Sequence, residues 1–247
     1  MSHHIVEFKN VFFRYPDGTD ALRDLSFRII HGESVGIIGA NGAGKSTLLM
    51  QMNGYLMPTA GTVTIGDLPL TKKTRRDIRR KVGIVFQNPD DQLFMPTVYD
   101  DVAFGPLNLG LDEACVRERV QKALSLVNGL ELRDKPPHHL SVGQKSAVAI
   151  ASVMAMDPDI LAMDEPAASL DPKSRRSLIT MLKTFKHSKI IASHDLDLIL
   201  DVCQRCLVIR EGTAAADGPS IEILSNKTLL EENNLELPLS LQRLQVG

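Results

Sequence analysis

Nine residues, GANGAGKST at 39 to 47, constrain this chain more than any other stretch. They match GxxxxGK[ST] and stand directly after the strand-like SVGII and before the helical LLMQMN, which is the setting of a phosphate-binding loop. Gly39, Gly42 and Gly44 permit backbone angles and close approach that a Cβ would forbid, so successive amides can point at one phosphate chain. Lys45 directs a point charge at the β and γ phosphates, Ser46 offers a hydroxyl to Mg2+, and the helix starting there aims its positive end at the anion. Asn41 and Thr47 complete the candidate nucleotide-binding set of the loop. The spacing is not GxGxxG, which disfavours a dinucleotide site.

A strand feeding such a loop has to be buried, and further apolar runs recur at 5–14, 25–29, 62–65, 82–86, 160–163, 189–192 and 206–210. Helix-period stretches lie between the later ones, with Val116, Val120, Leu124 and Val127 on one face, and Leu178, Leu182 and Phe185 on another. Alternation of this kind predicts an α/β fold with a mostly parallel sheet covered on both sides. The runs at 5–14, 25–29 and 62–65 lack intervening helices and predict an antiparallel side sheet. From Asn88 to about Asp157, Pro-punctuated loops and helices without a convincing strand predict a helical insertion. The organisation expected is one domain over 1–240, with its core at 1–87 and 158–220, an α-helical subdomain at about 88–157, and a carboxy-terminal tail at 221–247.

A phosphate loop needs a second carboxylate for the metal, best placed at the end of a buried strand beside the same crevice. DILAMDEP at 159–166 supplies it: Asp164 would hold Mg2+ through water, and Glu165 could polarise the attacking water. The alternative is an Asp-Glu pair capping a following helix.

Formal charge is −2 and aromatics are 4%, so no global field attracts polyanions and a dedicated nucleic-acid role is disfavoured. The nearly apolar runs fall short of a bilayer span, and the amino terminus lacks the pattern of a secretory signal, which predicts a soluble cytosolic chain. Cys115, Cys203 and Cys206 are an odd count; the CxxC at 203–206 has no second pair, and ordinary thiols are expected rather than a redox or zinc site. His138 and His139 are adjacent and should point apart, against a metal site. TKKTRRDIRRK at 71–81 carries seven basic residues, either as a solvated helix face or as a contact for anionic headgroups or a partner.

Together these motifs resemble the nucleotide-binding subunits of ATP-binding-cassette transporters over nearly the whole chain, which implies a P-loop NTPase fold with a RecA-like core and ATP with Mg2+ as ligands. LSVGQ at 140–144 is similar to the family signature LSGGQ, and ASLD at 168–171 to the loop after the metal strand. His194 in IIASHD matches the switch histidine, and Gln87 in VFQNP the glutamine loop. The resemblance implies that His194 hydrogen-bonds the γ-phosphate and that Gln87 touches metal or water while handing motion to the helical insertion. It also implies that Ser141, Gly143, Gln144 and Asp171 serve ATP across a dimer. Tyr15 sits where such proteins stack an aromatic on adenine, although within FFRY plain packing is the alternative. For LSVGQ alone, a capped helix start with Ser141 as the cap is the alternative.

More narrowly, NPDDQLFMPTVYDDVAFGPLNLG at 88–110 resembles the ATPases of energy-coupling-factor importers. The flank PPHHLSVGQK and the tail LLEENNLELPLSL resemble the cobalt and nickel branch. That resemblance implies a homodimer on the cytoplasmic face of the membrane, with an integral energy-coupling subunit and a substrate-binding membrane subunit as partners and no nucleic acid. Vitamin-type importers and soluble non-transport cassette ATPases are the alternatives. Two departures stand out: Val142 replaces the first signature glycine, and Ser146 with Ala147 replaces a basic pair, so closure across the dimer is expected to be weaker.

Overall fold

The computed structural model describes residues 4–242; residues 1–3 and the last part of the expected tail, 243–247, lie outside the described residues. Two sheets enclose one helix. The smaller sheet is antiparallel, in the order β2 (Asp20–Ile30), β1 (His4–Arg14), β4 (Ala60–Ile65), β5 (Leu68–Pro69). The larger has six strands, in the order β10 (Thr213–Pro219), β9 (Arg205–Arg210), β3 (Ser34–Ile38), β8 (Ser188–Ala192), β7 (Ile160–Asp164), β6 (Val82–Val85). All pairings in the larger sheet are parallel except the β9–β10 hairpin. Every residue of β3, β7 and β8 is buried, as expected for strands covered on both faces.

Helix α1 (Lys45–Met52) lies between the sheets, which is why Leu48, Leu49 and Met52 are all fully buried although the helix has no apolar stripe. On the opposite face of the large sheet, α6 (Pro172–Thr184) and α7 (Leu196–Val202) bury Leu178, Leu182, Leu198 and Ile199. Helix α2 (Arg75–Lys81) leads directly into β6 and buries only Ile78.

Between β6 and β7 the chain leaves the sheet and forms α3 (Val98–Asn108), α4 (Glu113–Leu126) and α5 (Val142–Met154). These helices pack around their own apolar cluster, including Val98, Val102, Val116, Val120, Leu124 and Val148. The fold is therefore the expected α/β one: a mostly parallel sheet, an antiparallel side sheet and inserted helices. After β10, α8 (Ser220–Ser225), α9 (Lys227–Glu232) and the short α10 (Leu239–Gln242) follow, and Leu224, Leu230 and Leu237 of this tail join the cluster beneath α7.

Strand β2 starts at Asp20, five residues earlier than its apolar run, because Arg14 pairs with Asp20 in register and clamps it through two guanidinium bonds. Strand β10 was invisible to a hydrophobic pattern: TAAADGP has no large apolar side chain, and the strand exists because Glu211 and Gly212 turn the chain back at φ 48° and 81°. Cys203 and Cys206 are buried free thiols, the first pushed up to about 12 by burial. His138 and His139 do not point apart, since a 3-10 turn brings their rings to 4.4 Å. Among the described residues no group of three His, Cys, Asp or Glu side chains could hold a metal.

Candidate nucleotide site

Loop 39–44 joins β3 to α1 at the carboxyl end of the parallel strands. Its glycines are dictated by space as well as by angle. A Cβ on Gly39 (φ 152°) would sit 2.1 Å from the Ile209 carbonyl oxygen, and one on Gly44 (φ 107°) 2.5 Å from that of Ala21. Asn41 and Gly42 form the exposed crest, and Gly44 is the N-cap of α1, leaving the first amides of that helix without a side-chain cap. Lys45 is 7% exposed. Its Nζ donates to the carbonyls of Gly39 (2.7 Å) and Ala40 (3.0 Å) and lies 3.4 Å from His194 Nε2. Burial lowers its pKa, while Glu165 and Asp164 pull the other way.

Asp164 ends β7 and Glu165 follows it. Burial pushes the Asp164 carboxyl above its usual range, opposed by the facing Ser46 hydroxyl, Lys45 and His194. Glu165 occupies the left-handed region (φ 47°), uncommon for a non-glycine residue, and its N–H donates to the Ala192 carbonyl (2.8 Å), tying the end of β7 to the end of β8. Its Oε2 accepts from Ser193 Oγ and from the His194 amide, each at 3.1 Å. Oε1 lies 3.3 Å from His194 Nε2, yet it is a buried acceptor with no aligned donor. Neither carboxylate caps a helix; the cap of α6 is Asp171. The His194 imidazole thus stands between the Lys45 ammonium and the Glu165 carboxylate.

Tyr15 is half-buried: its ring meets Phe13 edge-on at 4.9 Å and its hydroxyl is 2.9 Å from Thr47 Oγ1 on α1. It therefore packs against the fold and borders the loop at once. Gln87 is exposed and shares a small cleft with Glu165, Pro166 and Ser169.

The signature residues lie elsewhere. Ser141 caps α5 in a reciprocal capping box: its Oγ accepts from the Gln144 amide (3.3 Å) and its own amide donates to Gln144 Oε1 (3.0 Å). Gly143 faces Ser174 and Asp171, and Val142 is 49% exposed. A cavity of about 580 Å³ between α4, α5 and α6 is lined by Ser141, Gly143, Gln144 and Asp171. Asp171 caps α6, and the Ser174 hydroxyl holds its carboxyl below the usual range. Among the described residues no hydrogen bond joins Ser141, Gly143, Gln144 or Asp171 to Lys45, Ser46 or Asp164, and the cavity that the first four line includes none of the other three. One chain brings together Lys45, Ser46, Asp164, Glu165 and His194, and leaves the signature on a separate, open surface.

Two supports escaped the sequence reading. Ser193 is 1% exposed and donates to Glu165; SHD at 193–195 carried that hydroxyl in plain view, but only β7 and β8 lying side by side reveals its target. Arg175 of α6 grips Asp195 with two bonds (2.5 and 2.9 Å). Burial opposes charge on Asp195, yet Arg175 and the Leu198 amide hold its pKa down, so the residue after His194 is pinned as the cap of α7.

A model of the ABC transporter family matches residues 22–168. An ABC transporter ATP-binding protein of Geobacter sulfurreducens is 59% identical over 242 residues, covering 98% of this chain and 97% of that protein. An energy-coupling factor transporter ATP-binding protein, EcfA of Carboxydothermus hydrogenoformans, is 46% identical over 237 residues, covering 95% and 87%. Among solved structures, cbiO1 of Clostridium perfringens, part of the ABC transporter complex cbiONQ, superposes with a TM-score of 0.83 at 38% identity, covering 99% of this chain and 100% of that one.

Proposed function

This chain belongs to the ABC transporter family of ATP-binding proteins and is an ATPase, and from that premise we propose that it drives an energy-coupling-factor importer of cobalt or nickel ions, working as a homodimer. The observation that carries the dimer is the separation within one chain: the phosphate loop, both carboxylates and His194 form one cluster, while the capped start of α5 faces outward with Asp171. A single phosphate loop leaves the far side of a γ-phosphate open to water, and a second copy presenting Ser141, Gly143 and Gln144 would close it.

Within the cluster each residue has a chemical task. Lys45, with its ammonium already aimed along the loop, neutralises phosphate charge. Ser46 and Asp164 are hard oxygen donors facing one another, the pair a Mg2+ ion takes, and that ion would supply charge neutralisation at the phosphate oxygens. Glu165 is held through Oε2, so its unpaired Oε1 is the acceptor available to an attacking water. His194 is placed to exchange its position between Lys45 and Glu165 for a hydrogen bond to the γ-phosphate, and so to register whether that group is present.

Motion would leave through residues 87–110. Gln87 touches the Glu165 cleft, and the segment beyond it exposes Phe94 (64%), Phe104 (43%) and Leu107 (55%), the two rings meeting edge-on at 5.0 Å. An apolar patch of that kind suits a membrane subunit. Among the described residues no helix is long and apolar enough to cross a membrane. On the importer reading the chain sits peripherally on the cytoplasmic face and reaches the solute only through partners. The names of the EcfA relative and of cbiO1 support the importer reading, and the flank of the signature supports the metal branch.

The deciding experiment is recovery of the tagged chain with its integral membrane partners, followed by ATP-driven uptake of labelled cobalt or nickel against vitamins. Uptake of a vitamin alone would move the chain to the other importer branch. Recovery with no membrane protein would make it a soluble cassette ATPase.

A further inference from the structure

One strongly charged surface is left unused by the ATP reaction: α2 and the turn before it. Residues 71–81 hold seven cations, Lys72, Lys73, Arg75, Arg76, Arg79, Arg80 and Lys81, against the single acid Asp77, in a chain whose formal charge is −2. All but Lys81 are exposed. Lys81 pairs with Asp159 (3.1 Å) and Arg79 reaches the Gly54 carbonyl (3.4 Å). Among the described residues, Lys72, Lys73, Arg75, Arg76 and Arg80 form no salt bridge.

A merely solvated helix face carries mixed charges with acids spaced to support the bases. Here the spacing does the reverse: Arg75 with Arg79 and Arg76 with Arg80 are like charges at i,i+4, which destabilise a helix. Only Ile78 anchors it. The neighbouring surface has an interfacial character too. Helix α2 packs on the chain just after α1, where the Arg75 side chain crosses Gly54, and the next residue, Tyr55, is 60% exposed. A protruding tyrosine beside a crowd of cations fits the headgroup layer, where an amphipathic ring and basic side chains are both satisfied. The rest of the chain is net negative, with 21 bases against 29 acids, which confines the attraction to this face.

We propose that Lys72, Lys73 and the outward arginines of α2, with Tyr55, rest on the anionic lipid surface beside the membrane subunits. This gives the ATPase a lipid contact of its own in addition to its protein contacts. The inference rests on the transporter reading only for the nearness of a membrane. Its chemistry is electrostatic, with each cation near an anionic surface worth roughly fivefold in partitioning.

The full chain is sedimented with vesicles of phosphatidylcholine alone and with vesicles that also contain phosphatidylglycerol, at low and high salt. Binding only to the second kind, lost at high salt, is expected. Changing Lys72, Lys73, Arg76 and Arg80 together to Gln should weaken binding by roughly several hundredfold while leaving ATP hydrolysis in solution unchanged. Asp77→Lys should strengthen binding. Absence of binding to phosphatidylglycerol vesicles at low salt, equal binding to both vesicles, or an unaltered quadruple variant each overturns the proposal. So does binding of an acidic polypeptide or of RNA with none to vesicles. If vesicle binding fails while membrane partners are still recovered with the chain, this inference falls and the transporter reading stands; the reverse pattern does the opposite.

Discussion

The phosphate-loop half and the signature half of this molecule bind the same kind of anion, on the proposed reading, by opposite constructions. The first is buried and internally bonded: Lys45 uses loop carbonyls, Glu165 is held by Ser193 and the His194 amide, and burial works against the charge of both Lys45 and Asp164. The second is a short exposed helix start whose polar groups satisfy one another, Ser141 with Gln144, and which carries an exposed Val142. The difference teaches that the chemistry is pre-built on one side only. The other side is finished locally as a stable cap and, on the proposed reading, becomes a ligand surface only when another molecule meets it.

The largest effect expected from testing this contrast is at Glu165. Glu165→Gln keeps the size and the Oε2-type acceptor but removes the base, so hydrolysis should fall by about 10²–10⁴-fold. Binding should survive, and light scattering should detect a dimer that persists with ATP and Mg2+. Monomers under those conditions would break the idea that the two halves meet across copies. Next comes a mixing experiment. Lys45→Ala and Ser141→Ala chains, each inactive alone, should together recover up to about a quarter of the normal rate, because random pairing leaves one intact composite site in each hybrid dimer. No recovery would mean that each chain uses its own signature. Ser141→Ala should also cost about 1 kcal/mol of stability through the lost cap, which thermal unfolding of the single chain measures separately.

Asp164 sharpens the contrast in stability rather than rate. Its folded pKa is raised, so the folded state binds more protons than the unfolded one, and stability falls as pH rises from the unfolded value through the folded value. Above the folded value that loss is complete. Asp164→Asn should therefore raise the melting temperature of the ligand-free chain, each kcal/mol being worth roughly 2–4 °C at this size, while removing the extra stabilisation that Mg2+ adds to ATP. A lower melting temperature for the ligand-free variant would show that the carboxylate is structural.

The same division governs how much could be read from the sequence. The loop, the strand before it and Asp164 with Glu165 were legible, because glycine spacing and an apolar run ending in acids have few other uses. The two-sheet layout followed from strands without intervening helices, and the inserted helices from a long stretch without strands. What escaped was set by tertiary neighbours. Ser193 acquires its role only because β7 and β8 are adjacent, Arg175 because α6 passes the cap of α7, and β10 because a tight turn returns a polar segment to an edge. LSVGQ was legible twice over, as a helix cap and as a family signature, and the structure displays the cap directly.

The smallest expected effect is at Val142, where the contrast is most exposed to refutation. The residue occupies the first position of α5 and is 49% exposed, so its side chain contributes little to the core. Replacing it by Gly costs helix propensity of at most about 1 kcal/mol, less at a terminus, and leaves the Ser141–Gln144 capping box in place. What the change removes is a branched side chain on a surface that, on the proposed reading, comes close to a phosphate in the partner's site. If the second half is limited by that approach, Val142→Gly should raise steady-state turnover by a few-fold and tighten the ATP-bound dimer, with the affinity of the separated chain for nucleotide unchanged. An unchanged or lower rate would mean that the valine already fits the closed interface, and that the looser half of the site owes its openness to something other than its departure from glycine.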